Sequence, residues 1–255
     1  MKNKALNLLA GLFFASTASL PATLVLFEDF EDSIVNYVQT NAGDSTLIPD
    51  NTSELFPDRN YFGIISFADT VGTELNYNNQ QGGGFYGAED TDSTSSGNID
   101  LIQLEWTGVQ VAGATGITFS GLFAEDDDFP NEDWDGDSSL VVQAQIDGGG
   151  FVDLFAIRST GGAINSAPSV DTNFDGIGDG TEITDTFTEF SADIDSALGT
   201  GSILDLRITI SNLNAGDEDI AFDNITVTTS QVPEPSASLL LALAGFSGLA
   251  RRRRV

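Results

Sequence analysis

The chain has 255 residues, of which 39 are Asp or Glu and nine are Lys or Arg, a formal net charge of −30 at pH 7. It contains no histidine and no cysteine, which excludes Ser-His-Asp and Cys-His catalysis, the usual zinc ligands and disulfide cross-links. Such a surface repels nucleic acid and anionic lipid and attracts cations, so no nucleic-acid partner is expected.

From the N-terminus, Lys2 and Lys4 make a short basic region, Ala5 to Phe14 are almost wholly apolar, and Ala15-Ser16-Thr17-Ala18-Ser19 supply small residues for cleavage. That is the layout of a secretory signal peptide, assigned to residues 1–22, and it implies export through the Sec translocon. The body, residues 23–231, holds 38 of the 39 acids and only Arg59, Arg158 and Arg207 as bases, a formal charge of −35. A body of about 200 residues is ample for one sizeable core.

The body reads as strands. Leu24 to Phe30, Leu101 to Trp106, Ile117 to Phe123, Leu140 to Ile146, Phe151 to Arg158, Leu204 to Ile210 and Ile220 to Val227 are predicted strands, with a shorter one near Tyr61 to Phe67. Val142, Ala144 and Ile146 share one face with Gln143 and Gln145 on the other, and Asp147-Gly148-Gly149-Gly150 is a hairpin turn into the next run. Gly82-Gly83-Gly84 and Asp92 to Gly97 read as long loops within the weakly patterned residues 41–99, and Asp193 to Leu198 as a single helical turn. Short strands with Gly, Asn and Asp between them predict an all-β chain, a jelly-roll-like β-sandwich. Leu26-Phe27-Glu28-Asp29-Phe30-Glu31 and Ala221-Phe222-Asp223-Asn224-Ile225-Thr226-Val227 resemble the first and last strands of lectin-like and carbohydrate-binding jelly rolls.

Three acidic segments are candidate cation sites. Glu125-Asp126-Asp127-Asp128, continued by Glu132, Asp133, Asp135 and Asp137, is expected to be an extended solvated loop, with a bound cation as the alternative. Asp171-Thr172-Asn173-Phe174-Asp175-Gly176-Ile177-Gly178-Asp179-Gly180-Thr181-Glu182 fits the twelve-residue calcium-loop pattern. Calcium would be held by oxygens of Asp171, Asn173 and Asp175, the Ile177 carbonyl, Asp179 and Glu182. Gly178 departs from the aliphatic residue usual at that position of an EF-hand, and no helices flank the loop. It resembles the calcium loops of dockerin and thrombospondin-type modules as much, and a solvated Asp/Gly turn is the alternative. Third, Asp223 shares strand phase with Ile225 and Val227; if it points inward, Glu28, Asp29 or Glu31 on the first strand could complete a second calcium site with it, an Asp capping the turn before the strand being the alternative.

Trp106 and Trp134 are core packing or sugar-stacking platforms. Two carboxylates would suffice for a glycosidase, yet among 38 acids a pair carries no information.

The C-terminus is the most specific segment. Val232-Pro233-Glu234-Pro235 precedes Ser236 to Ala250, which carry no charge, and then Arg251-Arg252-Arg253-Arg254-Val255. As a helix the apolar run would span about 22 Å against a hydrocarbon core of about 30 Å, a gap that snorkelling arginines and local thinning close. The arginines belong on the cytoplasmic side, with everything upstream outside. This order resembles the PEP-CTERM sorting signal, and the resemblance implies a Gram-negative source and an exosortase that cuts at Pro233-Glu234-Pro235. It also implies a precursor anchored by a single transmembrane helix in the inner membrane, then transfer to the cell surface or an exopolysaccharide (biofilm) matrix. The expectation is a non-enzymatic structural or adhesive protein with a calcium-stabilised β-sandwich. A carbohydrate-binding module in contact with exopolysaccharide is the alternative, and a glycan-active hydrolase stands third.

Overall fold

Strands β1 (Thr23–Glu28), β2 (Val38–Thr40), β3 (Tyr61–Ser66), β4 (Gly84–Glu89), β5 (Leu101–Gln110), β6 (Thr115–Ala124), β7 (Ser139–Ile146), β8 (Val152–Ser159), β9 (Pro168–Val170), β10 (Thr188–Asp193), β11 (Ile203–Ser211) and β12 (Asp219–Ser230) form two antiparallel sheets. Among the described residues there are two short helices, α1 (Phe67–Thr70) between β3 and β4 of the first sheet and α2 (Ile194–Leu198) between β10 of the first and β11 of the second. This computed structural model describes residues 22–31, 35–40, 61–70, 75–91, 99–126, 134–161 and 165–230, within the unit Ala22–Val232. The signal segment, Val232 to Val255 and Asp127 to Asp133 of the acidic run lie outside the described residues. No described helix is long and apolar enough to cross a membrane.

The first sheet runs β10-β6-β12-β4-β3, with β1 also on β12; the second runs β2-β5-β11-β7-β8-β9. The jelly-roll-like β-sandwich expected from the sequence is therefore present. The predicted strands over Leu101, Ile117, Leu140, Phe151, Leu204 and Ile220 are β5, β6, β7, β8, β11 and β12, and β7 and β8 form the expected hairpin. The helical turn at Asp193 is α2, capped by the Asp193 carboxylate accepting from Ser196 N.

The two sheets differ in how they meet water. In β11, Leu204, Leu206, Ile208 and Ile210 are buried while Asp205, Arg207 and Thr209 are half-exposed. One face of the second sheet thus packs on the core and the other is wet. In β3 and β4 nearly every residue is buried. Tyr61, Ile65, Phe85, Leu122 and Ala221 of the first sheet pack with Leu75, Tyr77 and Phe187 in a second apolar cluster. The strips carrying those three residues are stitched together by Asn78 N to Asp185 O (2.7 Å) and Phe187 N to Asn78 O (2.9 Å). Both faces of the first sheet are therefore covered around β3 and β4.

The acidic run does not behave as a solvated loop where it is described. Glu125 and Asp126 continue β6 into the interior at 0 % and 2 % exposure. Asp126 N and the Tyr77 hydroxyl both donate to Asp219 Oδ1, at 3.1 and 2.6 Å, and Asn76 N donates to Asp126 at 2.9 Å. Burial and then the charge of Asp219 push the Tyr77 phenol well above its ordinary range, and burial and then Glu89 do the same for Tyr61. Trp134 is buried and donates Nε1 to Asp219 O at 2.9 Å, and Trp106 is buried against Tyr37. The packing reading of both tryptophans holds, and neither is a sugar platform.

Glu218 is fully buried, and its carboxylate accepts from Asp135 N, Ser138 Oγ, Asn214 N and Ala215 N. One side chain thus ties the turn before β7 to the turn before β12. Glu218→Ala leaves these donors without their acceptor and should destabilise the fold by about 3 kcal/mol in urea titration, with the slope unchanged.

Candidate metal centre

The segment Asp171 to Glu182 leaves the edge strand β9 and returns beside it. Val170 N donates to Thr181 O, Ile183 N donates to Pro168 O, and Ser169 bridges Glu182. Strands and not helices flank the loop. Asp171 is 2 % exposed and accepts from Asp175 N at 3.3 Å and Gly176 N at 2.9 Å. Asn173 Oδ1 accepts from Asp175 N and Asp175 Oδ1 from Ile177 N. Asp179 accepts from both Thr172 N and Thr172 Oγ1, and these bonds hold its carboxyl below the usual range.

The oxygens at the first, third, fifth and ninth positions of the loop therefore order its own backbone and side chains. A carboxylate has about four lone-pair sites and the Asn173 amide oxygen about two, so each retains capacity for a cation. Glu182 is exposed. Among the described residues no group of three or more acidic side chains is placed to hold a metal ion.

Gly178, the departure from the EF-hand pattern, has a steric reason. Its N–H donates to Ser159 O at 2.9 Å, and a Cβ there would lie 2.4 Å from Arg158 O and 2.9 Å from Ser169 O. The loop lies on the backbone of β8 and β9, where an aliphatic residue has no room.

The second candidate lies where β1 and β4 share one edge of β12. β4 pairs with Asp219 to Phe222 and β1 with Ile225 to Thr229, so Asp223 and Asn224 fall between them. Asp223 is 1 % exposed, and among the described residues its buried Oδ2 has no hydrogen-bond partner. Burial first, and then the charges of Glu31 and Asp29, push its carboxyl up to about 7. Its burial does not come from sharing phase with Ile225. Phe222 and Ile225 both face the core between the sheets, three residues apart, and the odd step is absorbed by a bulge and by Asn224 at φ 49°.

Of the three first-strand acids expected beside Asp223, the charges of Glu31 and Asp29 act on it and Glu28 is turned elsewhere. Glu28 is buried and accepts from Phe30 N at 3.3 Å and Asn36 N at 3.1 Å. Glu31 accepts from Gly83 N at 2.8 Å and from Gly84 N at 3.3 Å. A Cβ on Gly82 would fall 1.7 Å from Glu31 Oε1, and one on Gly84 would fall 2.4 Å from Phe30 O. The triple glycine, read from the sequence as a loop, is the seat of the Glu31 carboxylate. The charge of Asp29 also raises the Asp223 carboxyl, after that of Glu31.

Residues 231–254 match the PEP-CTERM protein-sorting motif. The motif marks an exported, membrane-anchored precursor that is processed for the cell surface. No curated protein matches the chain. Among solved structures the chain is similar to the Stig cyclase Fisc from Fischerella sp. TAU, at 15 % identity over 83 % of this chain and 100 % of that one, TM-score 0.43. It is also similar to the CBM22-1-CBM22-2 tandem of Paenibacillus barcinonensis Xyn10C, at 9 % identity over 87 % and 49 %, TM-score 0.41. A third is the mannan-recognising carbohydrate-binding module TmCBM27, at 12 % identity over 83 % and 100 %, TM-score 0.38. At these identities and scores the likeness says nothing about what this chain binds or catalyses.

The raised carboxyl at Asp223 has a pH signature. The folded group binds its proton up to about pH 7, whereas the unfolded one releases it near pH ~4. The folded state therefore binds the extra proton between those values, and in chelator its stability falls as pH rises from ~4 to ~7. Asp223→Asn should flatten that part of the profile and make the chelated protein more stable than the parent above pH ~7, as measured by thermal melts across pH.

Proposed function

We propose that this chain is a non-enzymatic structural or adhesive protein of the cell surface or exopolysaccharide matrix, with a β-sandwich stabilised by calcium. The PEP-CTERM motif at residues 231–254 supports the address and, with it, processing by an exosortase. The observation that carries the calcium reading is Asp223, whose buried Oδ2 has no partner beside Glu31 and Asp29. Each pKa unit of elevation corresponds to about 1.4 kcal/mol. Ionised and unaccompanied, Asp223 would remove a few kcal/mol from a domain whose whole net stability is about 5–15 kcal/mol. A hard divalent cation with oxygen ligands offsets that loss, and the ordered Asp171 to Glu182 loop is the second place for one. Asp171, Asn173, Asp175, the Ile177 carbonyl, Asp179 and Glu182 supply the first set of oxygens. Asp223 with Glu31 would supply the second.

Carbohydrate binding is the second reading, favoured by the wet, polar outer face of the second sheet. No catalytic role is assigned to any residue.

Calcium added to the full-length chain after chelation should raise its melting temperature by several degrees. Asp171→Ala with Asp175→Ala should remove the part due to the loop, and Asp223→Asn the part due to the β1–β4 junction. An unshifted parent ends the calcium reading. Deletion of Val232 to Val255 should release the protein from the envelope into the medium, followed by fractionation; surface retention without the tail would contradict the sorting assignment.

A further inference from the structure

The outer face of the second sheet carries one organised row of side chains, an exposed valine and four polar residues, that neither candidate cation site uses. Direct antiparallel pairing aligns Val38 of β2, Glu105 of β5, Arg207 of β11, Gln143 of β7 and Asp153 of β8. Paired residues share a face, so five strands each contribute one side chain to a line on the order of 19 Å long. Glu105, Arg207, Gln143 and Asp153 are all half-exposed.

The middle of this row is held rigid. The Arg207 guanidinium lies 3.8 Å from the centre of the Phe151 ring and donates Nε and Nη2 to Gln143 Oε1, at 3.0 and 2.5 Å. Gln143 Nε2 in turn donates to Asp153 Oδ1 at 2.6 Å. These bonds fix the amide orientation and leave the Arg207 Nη1 group and Asp153 Oδ2 without a hydrogen-bond partner among the described residues. Glu105 stands directly across from Arg207, yet Arg207 turns to Gln143 and Phe151, and among the described residues Glu105 accepts no hydrogen bond through its side chain. A fixed donor and a ready acceptor thus stand side by side. The neighbouring row repeats the chemistry without charge, Gln103 Nε2 donating to Thr209 Oγ1 at 3.3 Å.

We propose that this row is a binding surface for an extended neutral polysaccharide, a proposal that rests on the carbohydrate reading above and names its face and ligand class. Planar guanidinium, amide and carboxylate groups, half-desolvated and pre-oriented, match the alternating donor and acceptor capacity of sugar hydroxyls. Two carboxylates flank the single arginine, within a body of formal charge −35, so a polyanion is repelled. A protein partner would call for buried aromatic anchors at its centre; the aromatic ring here, Phe151, is already taken by Arg207. The row spans five strands, which suits a chain of sugars rather than one.

The test is a glycan array probed with the full-length chain, in calcium and in chelator, followed by titration calorimetry on the neutral glycan it retains. Arg207→Ala should weaken binding roughly ten-fold or more, the loss of one charged hydrogen-bond donor. Glu105→Gln, which disturbs no bond within the described residues, should weaken it several-fold with an unchanged melting temperature. If the parent retains no neutral glycan, the carbohydrate reading itself fails. If it retains one and both variants bind as the parent does, the reading stands and this face is wrong. Retention of acidic glycans alone, or a dimer in light scattering that Arg207→Ala dissolves, would also overturn the assignment, the latter making the row a contact between copies of the chain.

Discussion

Everything in the first sheet is hung on β12. Its N-terminal half pairs with β4 and its C-terminal half with β1 along one edge, while β6 runs along the other. A strand shared in this way must change partners part-way, and at the change its backbone and side chains lose ladder partners that the interior cannot replace with water. The bulge after Asp223, the positive φ at Asn224 and the glycine-seated Glu31 are the local solution. The cost is an aspartate held in the interior beside two further carboxylates. The fold thus generates the candidate cation site as a consequence of its topology.

The same logic separates the sheets. The first is sealed on both sides around β3 and β4 by the strips carrying Leu75, Tyr77 and Phe187, and it takes Glu89, Glu125, Asp126 and Asp219 into its interior. The second keeps one face on the core and one in water, and its polar groups order one another instead of the fold: Arg207 to Gln143, Gln143 to Asp153, Gln145 to Asp205. Acidic groups in the first sheet and its junctions are structural by virtue of burial. Those on the open face of the second are free to serve a ligand.

That division also sets what could be read from sequence. Period-two alternation exists only where a strand has one wet face, so β11 and β7 were legible to within a residue. β4 was not, because Gly84 to Glu89 is buried throughout and preceded by glycines, which together look like a loop. β2 and β9 are three residues each, too short for any period to show. At the sites, the residue types of the Asp171 loop were legible as a pattern, and so was the anomaly of Gly178, but its reason lies in the backbone of β8, which no local pattern encodes. Asp223 was found by a phase argument that fails at a bulge three residues wide; it is buried for a different reason. Alternation could not choose among Glu28, Asp29 and Glu31, because it cannot say where the strand stops, and β1 ends at Glu28.

A body with 38 acids and three arginines cannot neutralise its own interior by ion pairs, and it lacks histidine, lysine and cysteine to supply other chemistry. Arg207 is engaged with Phe151 and Gln143 on the wet face of the second sheet. What remains for the buried carboxylates is hydroxyl and amide donors, protons, or cations from the medium. Donors satisfy Asp219 and Glu218, as the Tyr77, Asp126, Asp135, Ser138 and Asn214 bonds demonstrate. Among the described residues Asp223 has only Asn224 N on one oxygen, which of the three sources leaves it the proton or the cation. A chain sent outside the cell meets a medium rather than a buffered cytosol, and on the proposed reading the choice between proton and cation at Asp223 ties the stability of the β-sandwich to the composition of that medium.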